Sequence, residues 1–218
     1  MPRLFVNEVF RSVQGEGAWT GTPALFIRLQ GCSVGCPWCD TAYAQDLLPQ
    51  NRLPDEDAQV LRKAEPNAAY TCAHEAWLVR AALNMLGAVR HVVLSGGEPC
   101  AQPLFGLADT LLRSGCSVQL ETSGTETLNC PSGVWVTLSP KARHVQPANW
   151  ARADEIKLPV RHMEDVQRHA ASLAKLAPEK IRLQPVSQDA AATELCVRLC
   201  LERNWRLSLQ THKFINLR

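Results

Sequence analysis

The sequence has almost no excess charge of either sign, and this excludes one broad class of function. Lysine and arginine together number 23, and aspartate and glutamate number 21, so the formal net charge is +2. A protein that binds nucleic acid by neutralising phosphates usually has a much larger basic excess. We therefore expect no nucleic-acid partner.

Long apolar runs are also missing. No stretch approaches the roughly 18 to 20 residues needed to cross a bilayer, and Glu8 comes too early for a signal peptide. These features predict a cytoplasmic protein without a membrane partner. Hydrophobic residues make up 46% of the 218 positions, enough to bury a core, and the length favours one domain over residues 1–218.

Cysteine is the residue type in surplus, with nine copies. An odd number without an export signal argues against a disulfide framework. Cys32, Cys36 and Cys39 are clustered and call for a chemical explanation. The other six are scattered, and we expect them to pack as small hydrophobic residues.

Repeats and low-complexity tracts are absent, and short apolar strands alternate with amphipathic helices. This pattern predicts βαβ units and a parallel sheet with apolar residues on both faces. About six units fit the chain, too few for a closed eight-fold barrel, so we predict an α/β fold with an open, partial (β/α)6 barrel. The predicted strands are 24–29, 91–94, 117–121, 134–138, 155–158, 180–184 and 206–209. The predicted helices are 74–86, 104–113, 163–176 and 190–202.

Two segments fall outside this alternation. Residues 1–23 are predicted to form an N-terminal extension or hairpin, which carries the sequence QGEG at 14–17. Residues 47–70 contain three prolines, several charges and no clear period. This composition predicts a surface insertion within the single domain.

The cysteine loop, residues 31–41, directly follows the predicted strand 24–29. Loops at the carboxyl ends of parallel strands are where such folds place active sites. Three thiolates would leave one iron of a four-iron cluster open for a substrate or cofactor. A structural zinc site is disfavoured because no second ligand pair has suitable spacing. A saturated cluster with a distant fourth cysteine, or three unrelated thiols, stay open as alternatives.

Polar loops follow the later predicted strands, and their shared position is the informative feature. They read SGGEP at 95–99, ETSGT at 121–125, SPK at 139–141 and QPVS at 184–187. Glycines in SGGEP let a ligand approach the backbone, Glu98 could accept hydrogen bonds from an ammonium group, and Lys141 could contact a carboxylate. Each loop alone is compatible with a solvated turn. Together they predict a site on one face of a partial barrel.

Three further side chains, those of Arg28, Thr41 and His212, could take part in the site. Arg28 is either an inward cation that suits a carboxylate or a surface residue on an edge strand. Thr41 could give Mg²⁺ a hard oxygen ligand, since this ion takes few protein ligands and uses substrate oxygens. His212 could exchange a proton or be a hydrogen-bonded structural histidine.

The spacing Cys-x3-Cys-x2-Cys, with Trp38 before the last cysteine and a GGEP loop, resembles the radical S-adenosylmethionine (SAM) superfamily. The resemblance implies that SAM binds the open iron and that the GGEP loop holds its amino group. The reduced cluster would then cleave SAM to methionine and a 5′-deoxyadenosyl radical. Trp38 would lie beside the adenine, although simple packing explains a buried tryptophan equally well.

Within this superfamily the chain resembles the 7-carboxy-7-deazaguanine synthase family over almost its whole length, except at 47–70. The shared motifs are FRSVQGEG at 10–17, LFIRLQGC at 25–32, CPWCDT at 36–41, SGGEP, ETSGT, LSPK, LQPVS and LQTHK at 209–213. The resemblance implies a carbon–nitrogen lyase. It would contract the ring of 6-carboxy-5,6,7,8-tetrahydropterin with loss of ammonia, a step towards queuosine and other 7-deazapurines.

The resemblance also implies ligands for particular residues. Cys32, Cys36 and Cys39 would bind a [4Fe–4S] cluster, and Thr41 would bind Mg²⁺. The residues implied around SAM are Trp38, Gly97, Glu98, Ser139, Lys141 and Gln184. The residues implied around the pterin are Val13, Gln14, Gly15, Arg28 and Ser95. The family further implies a homodimer, an electron donor of flavodoxin or ferredoxin type, and a possible substrate contact at Arg218.

Two other functions remain open on the sequence alone. An activase that installs a glycyl radical on a protein partner would share the cluster and the GGEP loop, but would not need Thr41 or the QGEG segment. An iron–sulfur or zinc sensor without catalysis is the second. The sequence leaves the role of Glu121 unassigned.

Overall fold

A computed structural model describes residues 2–142 and 144–217. The strands are β1 (Arg3–Val13), β2 (Pro23–Leu29), β3 (Thr71–His74), β4 (His91–Gly96), β5 (Ser117–Thr122), β6 (Trp135–Leu138), β7 (Glu155–Val160), β8 (Ile181–Pro185) and β9 (Arg206–Leu207). The helices are α1 (Glu75–Leu86), α2 (Phe105–Arg113), α3 (Pro147–Arg152), α4 (Met163–Gln167), α5 (Ala170–Leu173), α6 (Ala190–Arg203) and α7 (Thr211–Phe214). Arg218, whose contact with the substrate the sequence leaves open, lies outside the described residues.

The strands form one sheet in the order β3-β1-β2-β4-β5-β6-β7-β8-β9. From β2 to β9 every neighbouring pair is parallel, whereas β1 runs antiparallel to both β2 and β3. Because β3 and β9 are the two edges of the described sheet, the barrel is open. The predicted α/β fold with an open parallel sheet is confirmed.

All seven predicted strands are present, with boundaries that differ by at most two residues. Three of the four predicted helices are present as α1, α2 and α6. The fourth, predicted as one helix over 163–176, is wrong, because the chain leaves the helical path between α4 and α5. At this break the ring of His169 packs against Trp150, with 5.5 Å between ring centroids. This contact comes from a distant part of the chain and has no signature in the local sequence period.

The outer face of the sheet packs against the helices. Two apolar clusters lie there, one around β1, β2, β4, β5, α1 and α2, and the other around β7, β8 and α6. In β5, for example, Val118 and Leu120 belong to the first cluster. Side chains alternate between faces along a strand, so the residues between them point to the opposite side.

From β5 to β8 the inner face of the sheet is polar, and the prediction of apolar residues on both faces is wrong for these strands. Gln119 Nε2 donates to Thr137 Oγ1 (3.0 Å), and Thr137 Oγ1 donates to Glu155 Oε1 (2.7 Å). Arg182 Nε lies 3.1 Å from Glu155 Oε2. These side chains are buried, and cross-strand hydrogen bonds satisfy them. Burial on both faces therefore does not require apolar residues on both faces.

The N-terminal segment forms β1 and then turns under the inner face. A short 3-10 turn, Gly17–Trp19, lies between β1 and β2. Ala18 N donates to Glu155 Oε2 (2.9 Å), and the Trp19 ring stacks on His91 with 4.3 Å between centroids. Gly17 has φ +69°, and a Cβ there would lie 2.6 Å from Glu155 Oε1. The turn thus closes the end of the barrel where the parallel strands begin.

Residues 47–70 pack along β1 and contribute to the core. The segment contains 3-10 turns at Pro49–Asn51 and Ala58–Leu61. Val60 is fully buried in the first apolar cluster, and Lys63 Nζ donates to Asn7 Oδ1 (3.1 Å). The segment therefore contacts the sheet both through the buried Val60 side chain and through the hydrogen bond from Lys63 to Asn7.

No helix in the described part of the chain combines the length and apolar character needed to cross a membrane.

Candidate active site

One cavity, which we term the site cavity, opens where the loops after the parallel strands meet. All fifteen side chains or glycines that the sequence singles out as site residues line it: Val13, Gln14, Gly15, Arg28, Cys32, Cys36, Trp38, Cys39, Thr41, Ser95, Gly97, Glu98, Ser139, Lys141 and Gln184. The structure therefore brings the predicted residues together in one cavity, and their functional roles and individual ligands stay predictions.

The cysteine loop is anchored through its backbone. Gly31 N donates to Ala44 O (2.8 Å), and Cys32 N donates to Gln45 O (2.8 Å). The loop after β4 packs directly on it, since Glu98 N donates to Gly31 O (2.8 Å). These bonds explain why the two loops share one wall of the site cavity.

The three cysteines of this loop are free thiols and are half-buried. Among the described residues they are the cysteines that line the site cavity. No three Cys, His, Asp or Glu side chains in the described ranges converge on a single-ion site. A four-iron cluster needs no such convergence, because each thiolate binds a different iron. The donor set of three thiols on one loop thus fits a cluster with an open iron.

The thiol of Cys36 shows the electrostatic setting of this loop. Burial raises its pKa above the usual value, Lys141 lowers it, and the neighbouring Cys39 and Cys32 raise it further. Close thiolates repel one another, so bound metal is what would favour their deprotonated form.

Glu98 is already saturated by protein donors. Its Oε1 accepts from Cys100 N (3.0 Å) and Thr122 Oγ1 (2.7 Å), and its Oε2 accepts from Ser123 N (2.8 Å) and Ser123 Oγ. A carboxylate offers about four acceptor positions, and Glu98 is 1% exposed. It therefore fixes the loop after β4 to the loop after β5. The expected hydrogen bond to a ligand ammonium would have to replace or share one of these bonds.

Arg28 is an inward residue, and its alternative placement on the surface of an edge strand is wrong. Its strand, β2, lies between β1 and β4 in the sheet. Arg28 Nε donates to Glu8 Oε1 (2.7 Å), and the guanidinium lies over the rings of Phe10 and Tyr43. Burial lowers its pKa from the usual value, yet arginine stays charged at neutral pH.

A carboxylate–lysine centre, formed by Glu16, Glu121 and Lys157, lies in the same cavity. Lys157 Nζ is 2.8 Å from Glu121 Oε2 and 2.5 Å from Glu16 Oε2, and its side chain is 5% exposed. Sequence reasoning had no role for Glu121 and missed Lys157. One sequence pattern could have revealed Lys157. Glu155 and Lys157 alternate with apolar residues along β7, which places both on the face opposite to the apolar side chains.

Burial and charge act in opposite directions in this centre. Burial raises the pKa of Glu121 above its usual value, and Lys157 offsets this only in part. Burial also acts to raise the pKa of Glu16, but Lys157 and a hydrogen bond from Gln210 hold it at about 2. Burial acts to lower the pKa of Lys157, but the two carboxylates raise it above the usual value. The centre thus keeps a firmly ionised Glu16 and an ammonium beside a more easily protonated Glu121.

The remaining predicted ligand residues have neighbours within the cavity. Thr41 Oγ1 lies 3.4 Å from Gly96 O and 3.6 Å from Cys39 Sγ. Lys141 Nζ donates to Ser139 O (3.3 Å). These short-range contacts hold a hydroxyl and an ammonium at the rim beside the cysteine loop.

The C-terminal strap, residues 208–213, forms another wall. Thr211 N donates to Gly15 O (2.9 Å), and Gln210 Nε2 donates to Glu16 Oε1 (2.8 Å). Gln210 and His212 both line the site cavity, and a Cβ on Gly15 would lie 2.2 Å from His212 Nδ1. Burial lowers the pKa of His212, which favours its neutral form.

No family model matches the chain, but curated relatives match it over nearly its full length. The 7-carboxy-7-deazaguanine synthase of Escherichia coli (strain K12) is 42% identical over 220 aligned positions, covering 97% of this chain and 98% of that protein. The protein of the same name from Buchnera aphidicola subsp. Schizaphis graminum is 38% identical, covering 98% of both chains. That from Synechocystis sp. (strain ATCC 27184 / PCC 6803 / Kazusa) is 34% identical, covering 98% of this chain and 93% of the relative.

A solved structure agrees with these relatives. The crystal structure of QueE from Escherichia coli superimposes with a TM-score of 0.85 at 42% identity, covering 96% of this chain and 95% of that one. The superposition covers nearly the whole chain, and so nearly all of the fold that builds the site cavity. On both sequence and fold, the chain belongs to the 7-carboxy-7-deazaguanine synthase family of enzymes.

Proposed function

We propose that this enzyme is a radical SAM carbon–nitrogen lyase. It contracts the ring of 6-carboxy-5,6,7,8-tetrahydropterin to give 7-carboxy-7-deazaguanine with loss of ammonia, on the route to queuosine and other 7-deazapurines. One observation carries the proposal. Three free cysteines on one loop line the same cavity as the buried carboxylate–lysine centre. A site for a metal cluster thus adjoins a site for a small polar molecule.

Cys32, Cys36 and Cys39 are assigned to a [4Fe–4S] cluster. With SAM on its open iron, the bound cluster supplies the hydrogen-abstracting chemistry, and the protein supplies orientation and electrostatics. We assign SAM to the wall that adjoins this loop, formed by Trp38, Gly97, Glu98, Ser139, Lys141 and Gln184. This assignment is supported by the backbone packing of the two loops and by the ammonium of Lys141 at the rim.

The pterin is assigned to the other side of the cavity, beside Val13, Gln14, Gly15, Arg28 and Ser95. Arg28 offers a largely buried guanidinium, which suits the substrate carboxylate. Thr41 is assigned to Mg²⁺, with substrate oxygens and water completing its shell. The aminopyrimidine edge of a pterin is rich in N–H donors, and the carboxylates of Glu16 and Glu121 are matching acceptors.

Other features of the proposal rest on family membership. We propose a cytoplasmic homodimer that receives electrons from a flavodoxin- or ferredoxin-type donor and has no nucleic-acid or membrane partner. The activase and the sensor are not favoured. Full-length relatives bear the synthase name, and Thr41 and residues 14–16 of the QGEG segment, which the activase would not need, line the site cavity.

An anaerobic assay with the carboxypterin, SAM, Mg²⁺ and a chemical reductant tests the function. We expect the reconstituted wild type to form 7-carboxy-7-deazaguanine, identified by its ultraviolet spectrum and mass. Cys36→Ser should lose iron and all detectable product, because it removes a cluster ligand. Cys130→Ser, which changes a half-buried thiol outside the cavity, should retain both.

The same assay tests the metal assignment and can overturn the proposal. After chelation, added Mg²⁺ should restore the wild-type rate but have a much smaller effect on Thr41→Ala. Identical Mg²⁺ titrations would refute the role of Thr41. A wild type that binds four irons and SAM yet forms no deazaguanine would refute the proposed function.

A further inference from the structure

We propose that Asp40 is a positioning residue that couples the cysteine loop to the C-terminal strap, and so holds the wall of the pterin pocket that contains Gln210 and His212. The inference rests on the proposed function and deepens it. Asp40 stands between Cys39 and Thr41. Neither the cluster nor Mg²⁺ has been assigned its carboxylate, so the residue has no role so far.

Asp40 uses both carboxylate oxygens to bind the strap. Gln210 Nε2 donates to Oδ2 (2.7 Å), and Lys213 Nζ donates to Oδ1 (2.7 Å). Lys213 Nζ also donates to Gln210 Oε1 (2.8 Å), which closes a ring of three side chains. An isolated, half-exposed ion pair contributes little, but a closed ring restrains each of its members.

The amide of Gln210 is the link to the substrate site. Its nitrogen carries two hydrogens, and one is donated to Asp40 Oδ2 while the other is donated to Glu16 Oε1. One amide therefore bridges the cysteine loop and the carboxylate–lysine centre. Without the Asp40 carboxylate, this amide is free to rotate, and the orientation of Glu16 loses a support.

The strap depends on such side-chain bonds because no strand pairing closes the seam between β9 and β1 in the described sheet. The last strand, β9, is two residues long, and in the described sheet it does not pair with β1. The strap is held instead by Ser208 and Thr211 against residues 15–17 and by the bonds to Asp40. Within the described residues, every hydrogen bond between the strap and the cysteine loop involves Asp40. Asp40 is thus the connection between these two walls.

Hydrogen exchange of the reconstituted enzyme tests the coupling directly. We expect faster amide exchange across 208–217 in Asp40→Ala, a smaller increase in Lys213→Ala, and no further increase in the double variant, since both residues act through one ring. Asp46→Ala, which removes an exposed carboxylate five residues after the end of the cysteine loop, is the matched control. Exchange in Asp40→Ala equal to that of the control would overturn the proposal.

Kinetics test its consequence for the substrate. We expect Asp40→Ala to raise the KM for the pterin roughly tenfold, as for loss of a charge-assisted hydrogen bond, while iron content and the KM for SAM change less than about twofold. Asp40→Asn keeps one acceptor oxygen and should recover part of the loss. An unchanged pterin KM, or a fall in iron content that explains the whole defect, would overturn the proposal. A wild type without turnover would instead count against the proposed function, and the exchange result would be judged separately.

Discussion

At the scale of single residues, the approach of two backbones decides the shape of the site wall. A Cβ on Gly97 would lie 2.1 Å from Gly31 O, although the backbone of Gly97 is not in the left-handed region. Gly96 combines φ +133° with a Cβ position 2.2 Å from Leu29 O. Glycine is needed at 97 for space alone, and at 96 for both space and conformation.

Gly97→Ala should therefore force the cysteine loop and the loop after β4 apart. We expect a loss of about 1–3 kcal/mol in the free energy of unfolding, measured by urea denaturation, together with weaker SAM binding. In Gly133→Ala the new Cβ would lie 3.4 Å from Leu112 Cδ1, so this control should change stability by about 0.5 kcal/mol or less. Equal stability of the two variants would show that the loops separate without cost.

At the scale of elements, Glu98 joins the carboxyl ends of two strands. It receives four hydrogen bonds from the loops after β4 and β5. Among the described residues the β4–β5 pairing ends at Leu94 and Leu120, so beyond it this buried carboxylate is a principal link between the two loops. A role in holding the site together accounts for a glutamate here independently of any ligand.

Glu98→Gln should destabilise the protein. It keeps the shape of the side chain but turns an N–H₂ group towards the donors of Ser123. An unmatched buried donor costs about 1–3 kcal/mol, and chemical denaturation measures it. Glu194→Gln, at an exposed position of α6, should have no comparable effect. A Glu98→Gln protein as stable as this control would contradict the joining role.

At the scale of the whole molecule, an open sheet is closed by polar side chains. The inner face carries a hydrogen-bonded network from β5 to β8, and the seam between β9 and β1 is closed by the strap. Charged groups in this interior make the stability of the fold depend on pH. Glu16 and Glu121 contribute with opposite signs, because one pKa is depressed and the other raised.

Acid should therefore destabilise the protein in a defined window. Glu16 titrates at about 2 in the folded state and near 4.5 without these contacts, so its stabilisation is present above pH 4.5 and is lost as the pH falls towards 2. Glu121 opposes this, since its raised pKa favours the protonated folded form. We expect Glu16→Gln to flatten the acid dependence of the unfolding free energy, and exposed Glu65→Gln to leave it unchanged. A Glu16→Gln protein with the wild-type pH profile would contradict the assignment.

The sequence by itself was sufficient for the order of the elements and for the prediction that the polar loops share one edge of the sheet. Strand and helix periods are local, and parallel strands bring their carboxyl ends to one edge, so the loops at 95–99, 121–125 and 139–141 had to meet the cysteine loop. The predicted site residues on these loops accordingly line one cavity, together with Val13, Gln14 and Gly15, which the family resemblance and not the strand pattern had implied. The break between α4 and α5 and the buried Val60 were not foreseen, because both depend on packing against distant residues.

Only the tertiary structure decided which polar groups become partners. Glu16 lies 141 positions from Lys157, and Asp40 lies 170 positions from Gln210. Neither the composition nor the period of a strand records such a pairing. Which side chain an inward carboxylate meets depends on the curvature of the sheet and on how the chain closes its seam. The sequence determined the chemistry that is present, and the closure of the barrel determined which groups share a hydrogen bond, because that geometry exists only once distant segments have packed together.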